Sequence, residues 1–178
     1  MRAAGFSLIE MVMVIIIVGI LAAFIAPILS TAVDSYDTTS RNLGVLAKMR
    51  YASERVAREI RAVRRDPANT ANYDFASIGS PIKLDLCRSD NTRVSVELVA
   101  SELRLAYTTG FTSTCAPSAA PTLVLADGVS AFNLTYRKWD GTAATGLNDV
   151  AYIDIAMTLT DTGANSYSSN MRVDLRQP

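Results

Sequence analysis

The sequence predicts an α+β protein in which one long amino-terminal helix, part membrane-spanning and part spine, packs against an antiparallel β-sheet domain. Three observations predict it. Met11–Val33 is an uninterrupted run of 23 uncharged residues. Leu43, Leu46, Met49, Ser53, Val56, Ile60 and Val63 then recur every three or four residues, the period of one helix face. Beyond Pro67 the period falls to two, clearest in Ile153, Ile155, Met157 and Leu159 against Tyr152, Asp154, Ala156 and Thr158, which marks a half-buried strand.

The apolar run comes first. About 20 apolar residues cross a bilayer as a helix, so this one is long enough. A buried core helix would be shorter and amphipathic. A secretory signal peptide would want a basic n-region and a shorter apolar stretch; here only Arg2 precedes the run, and the acidic Glu10 stands at its start. A carboxylate at a membrane boundary is costly and reads as functional. Gly19 and Pro27 punctuate the run, and both weaken helical backbone bonding or propensity.

The second helical stretch follows without a break signal until Pro67, predicting one helix from about Phe6 to about Arg65. At 1.5 Å per residue such a helix is roughly 90 Å long, too long to lie inside one small domain. Residues 41–65 carry eight basic side chains against Glu54 and Glu59, a net charge of +6. We read these as a solvated helix face, with Glu54 and Arg58 at ion-pair spacing. A nucleic-acid surface is the alternative, but Tyr51 is the one aromatic interleaved among them.

The third stretch predicts strands at 83–87, 93–99, 102–108, 122–125, 131–138, 150–160 and 171–176. Ser89-Asp90-Asn91, Thr109-Gly110, Asp127-Gly128 and Asp140-Gly141 supply turns between them. The segments 113–121 and 161–170, rich in Ser, Ala, Pro, Thr, Gly and Asn, read as surface loops.

Composition limits the chemistry. The chain has 178 residues, 17 Lys and Arg against 17 Asp and Glu, two Cys and no His. Without His, Ser-His-Asp and Cys-His catalysis are excluded, as is a His-containing zinc site. Asp140, Asn148 and Asp149 share a Gly-containing loop, but their spacing is not that of an EF-hand. Trp139 reads as a hairpin or interface residue. No catalytic, cofactor-binding or metal residues are expected, and no enzyme activity.

Gly5-Phe6-Ser7-Leu8-Ile9-Glu10 followed by the apolar run resembles the processing site of type IV prepilins and type II secretion pseudopilins. The resemblance implies that a prepilin peptidase cuts between Gly5 and Phe6 and methylates the Phe6 amine. It implies that Glu10 pairs with a neighbouring subunit's amine during assembly, and that the segment between Gly19 and Pro27 can lose helicity in a filament. It divides the chain into a leader (1–5), an assembly helix (6–33), a basic spine helix (34–66) and a β-rich periplasmic domain (67–178). The stretches 36–39 and 53–61 are similar to O-type minor pilins of the MSHA pilus, and 127–136 to J-type minor pseudopilins, relatives of the W-type group. The implied partners are prepilin peptidase, other pilins or pseudopilins and the bacterial inner membrane, with a place near a filament tip. DNA capture by the basic helix or loops is the alternative function. In an extracytoplasmic domain Cys87 and Cys115 would pair, contributing about 3.5 kcal/mol; two buried thiols are the alternative.

Overall fold

The structure is a computed structural model that describes residues 7–109, 115 and 121–175. The chain divides into two compact units, residues 1–43 and 44–178. Helix α1 (Leu8–Arg61) begins in the first and contributes its last turns to the second. Among the described residues seven strands follow: β1 (Lys83–Cys87), β2 (Arg93–Val99), β3 (Glu102–Thr108), β4 (Leu123–Asp127), β5 (Val129–Arg137), β6 (Tyr152–Thr160) and β7 (Ser166–Asp174). The predicted α+β class is the observed one: a long helix packs on antiparallel sheets.

In the first unit the helix is exposed along its whole apolar run. Its sequence explains why it forms: Leu, Met and Ala carry good helical propensity, and no charge interrupts Met11–Val33. Pro27 lies inside the helix. It leaves the Ala23 carbonyl without its usual donor. Ser30 and Thr31 turn their hydroxyls back onto the Pro27 carbonyl, each at 2.9 Å.

In the second unit the core lies between the helix and two sheets. Met49, Ala52, Val56, Ala57 and Ile60 are buried with Leu84, Leu86, Val94, Val96, Leu103 and Leu105 from the first sheet. Phe132, Leu134, Ile153, Ile155, Met157 and Leu159 come from the second. The first sheet has the order β1-β2-β3-β4 and the second β5-β6-β7, all antiparallel. The helix face is not quite the predicted stripe. Leu46 is 42% exposed, whereas Ala52 and Ala57 are buried. Counting large apolar residues overlooks alanines, which are buried where another element approaches the helix closely.

Several boundaries differ from expectation, two of them by more than two residues. The helix stops at Arg61, not near Arg65. Val63 and Arg65 instead form isolated bridges to Arg88 and Tyr73, and the Arg64 backbone bonds Cys87 O and Asp74 N. Interstrand hydrogen bonds replace the last helical turn. Strand β7 starts at Ser166, inside the segment expected to be a loop to Asn170. Its pairing with β6 runs unbroken from Tyr152–Asp174 to Thr160–Ser166, and tertiary pairing overrides the weak strand preference of Ser and Asn. Asp127-Gly128 separates β4 from β5 as expected, and the two strands it joins lie in different sheets: β4 pairs with β3 and β5 with β6. The chain changes sheet at Gly128, whose φ of +71° favours glycine and where a Cβ would crowd Thr160 O at 3.0 Å. Most of the expected loop 113–121 lies outside the described residues.

Candidate functional site

The amino-terminal segment is built on a helix start. Ser7 directly precedes α1, and its hydroxyl accepts the Glu10 N–H at 3.3 Å while its carbonyl accepts the same N–H at 3.1 Å. This is N-cap geometry, and Ser7-Leu8-Ile9-Glu10 has the Ser-x-x-Glu spacing of a capping box. The sequence reading overlooked Ser7, although that spacing was its signal. Glu10 occupies the first turn, where the positive end of the helix dipole favours a carboxylate. Gly5 and Phe6, the predicted processing residues, lie outside the described residues. Gly19 and Pro27 both lie within continuous helix, and a Cβ at Gly19 would meet nothing within 4 Å.

From Leu8 to Val33 the large apolar side chains point into open surroundings; Leu8 is 83% exposed and Phe24 69%. An 18-residue window of this helix has a mean hydropathy of 3.1 with none of it buried. An apolar cylinder of that kind is not stable facing water and needs lipid or other helices around it.

The basic stretch resolves into pairs. Arg41 bonds Asp37 in the first unit. In the second, Lys48 bonds Asp127, Arg50 meets Glu54 at 2.8 Å, Arg55 meets Glu59 at 3.1 Å and Arg64 meets Asp74 at 2.7 Å. The Lys48 ammonium, through its hydrogen bond, holds the Asp127 carboxyl below the usual range. Arg65 stacks on the Tyr73 ring at 3.9 Å. Glu54 is thus taken by Arg50 and not by Arg58, which corrects the expected pairing: both arginines stand four residues away, and the carboxylate closes with one. Arg58 and Arg61 are exposed and make no ion pair among the described residues.

Glu59 is the buried carboxylate of this face. Tyr107 donates to its Oε1 at 2.7 Å, and Arg88 stands 3.5 Å from its Oε2. Burial, and then the bond to Glu59, raise the Tyr107 hydroxyl above its ordinary pKa. The cluster ties α1 to β3 and to the residue after β1, so it positions the helix and has no evident reactive role.

Cys87 and Cys115 form a disulfide. Asp74 lies beside it, accepting the Cys115 N–H at 3.1 Å and the Arg64 guanidinium. Asp74 and the two sulfurs are close enough to suggest a metal site, but sulfurs joined to each other are not thiolate ligands. In the 140–149 loop, Asp140 accepts both the N–H and the hydroxyl of Thr142, and Asp149 pairs with Lys138 at 3.2 Å. These carboxylates hold their own turns.

Residues 1–26 match the family model described as the prokaryotic N-terminal methylation motif. No curated protein matches the chain. The motif, the apolar helix behind it and the helix-on-sheet domain support a type IV pilin-like protein, whose amino-terminal helix is long and apolar enough to cross a membrane. The motif implies processing by a prepilin peptidase and assembly with other pilins.

Proposed function

We propose that this chain is a non-enzymatic minor pilin or minor pseudopilin that primes or caps a filament. The observation that carries the reading is the methylation motif joined directly to an apolar helix with no covering of its own. Prepilin peptidase cuts between Gly5 and Phe6 and methylates the new amine. The helix, as far as Val33, then waits in the inner membrane with the β-rich part in the periplasm. Other subunits' helices replace lipid around the apolar surface during assembly. Glu10, placed at the membrane boundary, sets axial register by pairing with a neighbour's amine, since a carboxylate in apolar surroundings needs a cation. Within the filament, Gly19 and Pro27 are where helical bonds give way most easily.

The test separates processing from assembly. Glu10→Val is expected to be inserted and cleaved normally, with the mass of a chain beginning at Phe6, yet to be absent from sheared filaments or the membrane-extracted assembly complex. Normal incorporation of this variant sinks the role of Glu10. A mass beginning at Met1 in the wild-type chain sinks the processing.

One observation favours a second reading, DNA capture. Arg58 and Arg61 are exposed, three residues apart on α1 and outside the ion pairs described above. Phosphate contacts by these residues would give DNA binding that weakens steeply with salt. Binding unchanged in an Arg58→Ala, Arg61→Ala variant rules it out.

A further inference from the structure

Trp139 is the chain's only tryptophan and is 78% exposed. Its turn is fixed on every side. Lys138 N–H donates to Thr142 O at 2.9 Å, Gly141 N–H to Lys138 O at 3.0 Å, and Arg137 to Gly141 O at 2.8 Å. Asp140 accepts twice from Thr142, and Gly141 takes a φ of +88°. The backbone that carries the indole is therefore ordered by its own bonds, while the indole itself stands in solvent.

Beside it opens a cleft of about 300 Å³, lined among others by Arg65, Tyr73, Asn148 and Asp149, at the small end of the range for small-ligand sites. Its polar groups are planar and held at their bases. The Arg65 guanidinium lies 3.9 Å over the Tyr73 ring and donates to Ala71 O and the Tyr73 hydroxyl, at 3.1 and 3.2 Å. Asp149 receives Lys138 and Thr145 on Oδ2 alone, each at 3.2 Å. Its Oδ1, the Asn148 carboxamide and the Trp139 N–H make no hydrogen bond to protein among the described residues.

These groups select among ligands. An apolar peptide would strip water from Asn148 and Asp149 without replacing it, at a cost for each unpaired group. A phosphate or other anion would meet the Asp149 carboxylate and has no use for an indole face. A pyranose fits both halves: its C–H face lies on an aromatic plane, and its adjacent hydroxyls donate and accept in pairs against planar amide and carboxylate groups. We propose that the Trp139 cleft is a saccharide-binding site, with the indole as platform and Asn148 and Asp149 as the hydroxyl-reading groups. The site lies wholly in residues 44–178 and does not rest on the assembly reading; a chain that fails to assemble would still bind.

Because Trp139 is the sole tryptophan, its emission reports the site directly. The full-length chain, in a zwitterionic detergent without a sugar head group, is titrated with methyl glycosides of the common hexoses and of N-acetylglucosamine. At least one is expected to shift the tryptophan emission and to saturate with a Kd of roughly 1–10 mM, ordinary for a monosaccharide-sized contact. Ligand-observed saturation-transfer NMR should show the same ligand bound, and lose it in Trp139→Ala. Gly146→Ala is the finer variant. Gly146 has φ −147°, open to any residue, but a Cβ there would stand 2.7 Å from Asn148 Oδ1 and displace that carboxamide. It should weaken binding about tenfold with the thermal midpoint unchanged. No response from any probe up to ~50 mM, a response that survives Trp139→Ala, or an emission change seen only on adding another filament subunit would each overturn the proposal.

Discussion

Replacing Glu59 tests how the spine helix is held on the sheets. The carboxylate is 2% exposed and meets Arg55 at 3.1 Å, Arg88 at 3.5 Å and the Tyr107 hydroxyl at 2.7 Å. Removing one partner of a fully buried ion pair costs about 3–5 kcal/mol, mostly from the charge left behind. Here the charges left behind are guanidiniums 28% and 33% exposed, so water recovers part of that cost. The lost charge-assisted bond from Tyr107 adds about 1.5–3 kcal/mol on its own. Glu59→Ala is therefore expected to destabilise by about 2–4 kcal/mol. Glu59→Gln keeps an acceptor for Tyr107 and should cost about half as much. Glu54→Ala is the control: its pair with Arg50 is exposed on both sides, and its loss should cost at most ~0.5 kcal/mol. Urea unfolding of the full chain in detergent, followed by near-ultraviolet circular dichroism, measures all three. At an m-value of about 2 kcal/mol/M, Glu59→Ala should lower the midpoint by roughly 1–2 M. Equal effects from Glu54→Ala and Glu59→Ala, or none from either, refute the reasoning.

Two further outcomes follow from buried groups. The Tyr136 hydroxyl is buried with no hydrogen-bond partner among the described residues, and burial, then the nearby Asp85, raise its pKa. A phenol whose pKa is raised on folding stabilises the fold below the unfolded pKa of about 10, and that contribution is lost as pH rises through the folded value. Tyr136→Phe should leave neutral-pH stability unchanged or raise it by up to ~1 kcal/mol, and move alkaline unfolding to higher pH; an earlier alkaline transition contradicts this. The Cys87–Cys115 bridge closes a 28-residue separation, so its removal in Cys87→Ala, Cys115→Ala should cost about 3.6 kcal/mol by loop entropy. A chain that unfolds at the same urea concentration with and without the bridge contradicts that estimate.

Much of the architecture was legible because it rests on local signals. An uncharged run and a 3.6-residue stripe specify a helix through short-range geometry alone, and β1, β2 and β3 were found at their observed limits because turns and alternation bracket them. Legibility failed where a partner far along the chain decides. Residues 63 and 65 are helical by pattern and extended by pairing. Ser166–Asn170 resemble a loop until β6 supplies a ladder. Asp127-Gly128 reads as a turn between strands, but only the bonds from Val129 N–H to Ser101 O and from Thr160 N–H to Gly128 O decide that the chain enters a second sheet there. In the amino-terminal segment the motif over residues 1–26 was legible because it rests on short-range spacing alone.

The sequence by itself determined the methylation-motif match over residues 1–26, the apolar run that continues it to Val33, and the absence of His. Only the tertiary structure decided which charges of the basic stretch find partners. The net charge of +6 is a sum over residues, whereas an ion pair depends on distance. Arg55, Arg64 and Lys48 are neutralised by Glu59, Asp74 and Asp127, the last 79 residues away, while Arg58 and Arg61 stay open to solvent. The same holds for Trp139. Its neighbours in sequence make a turn, and it is the fold that brings Arg65, Asn148 and Asp149 around it.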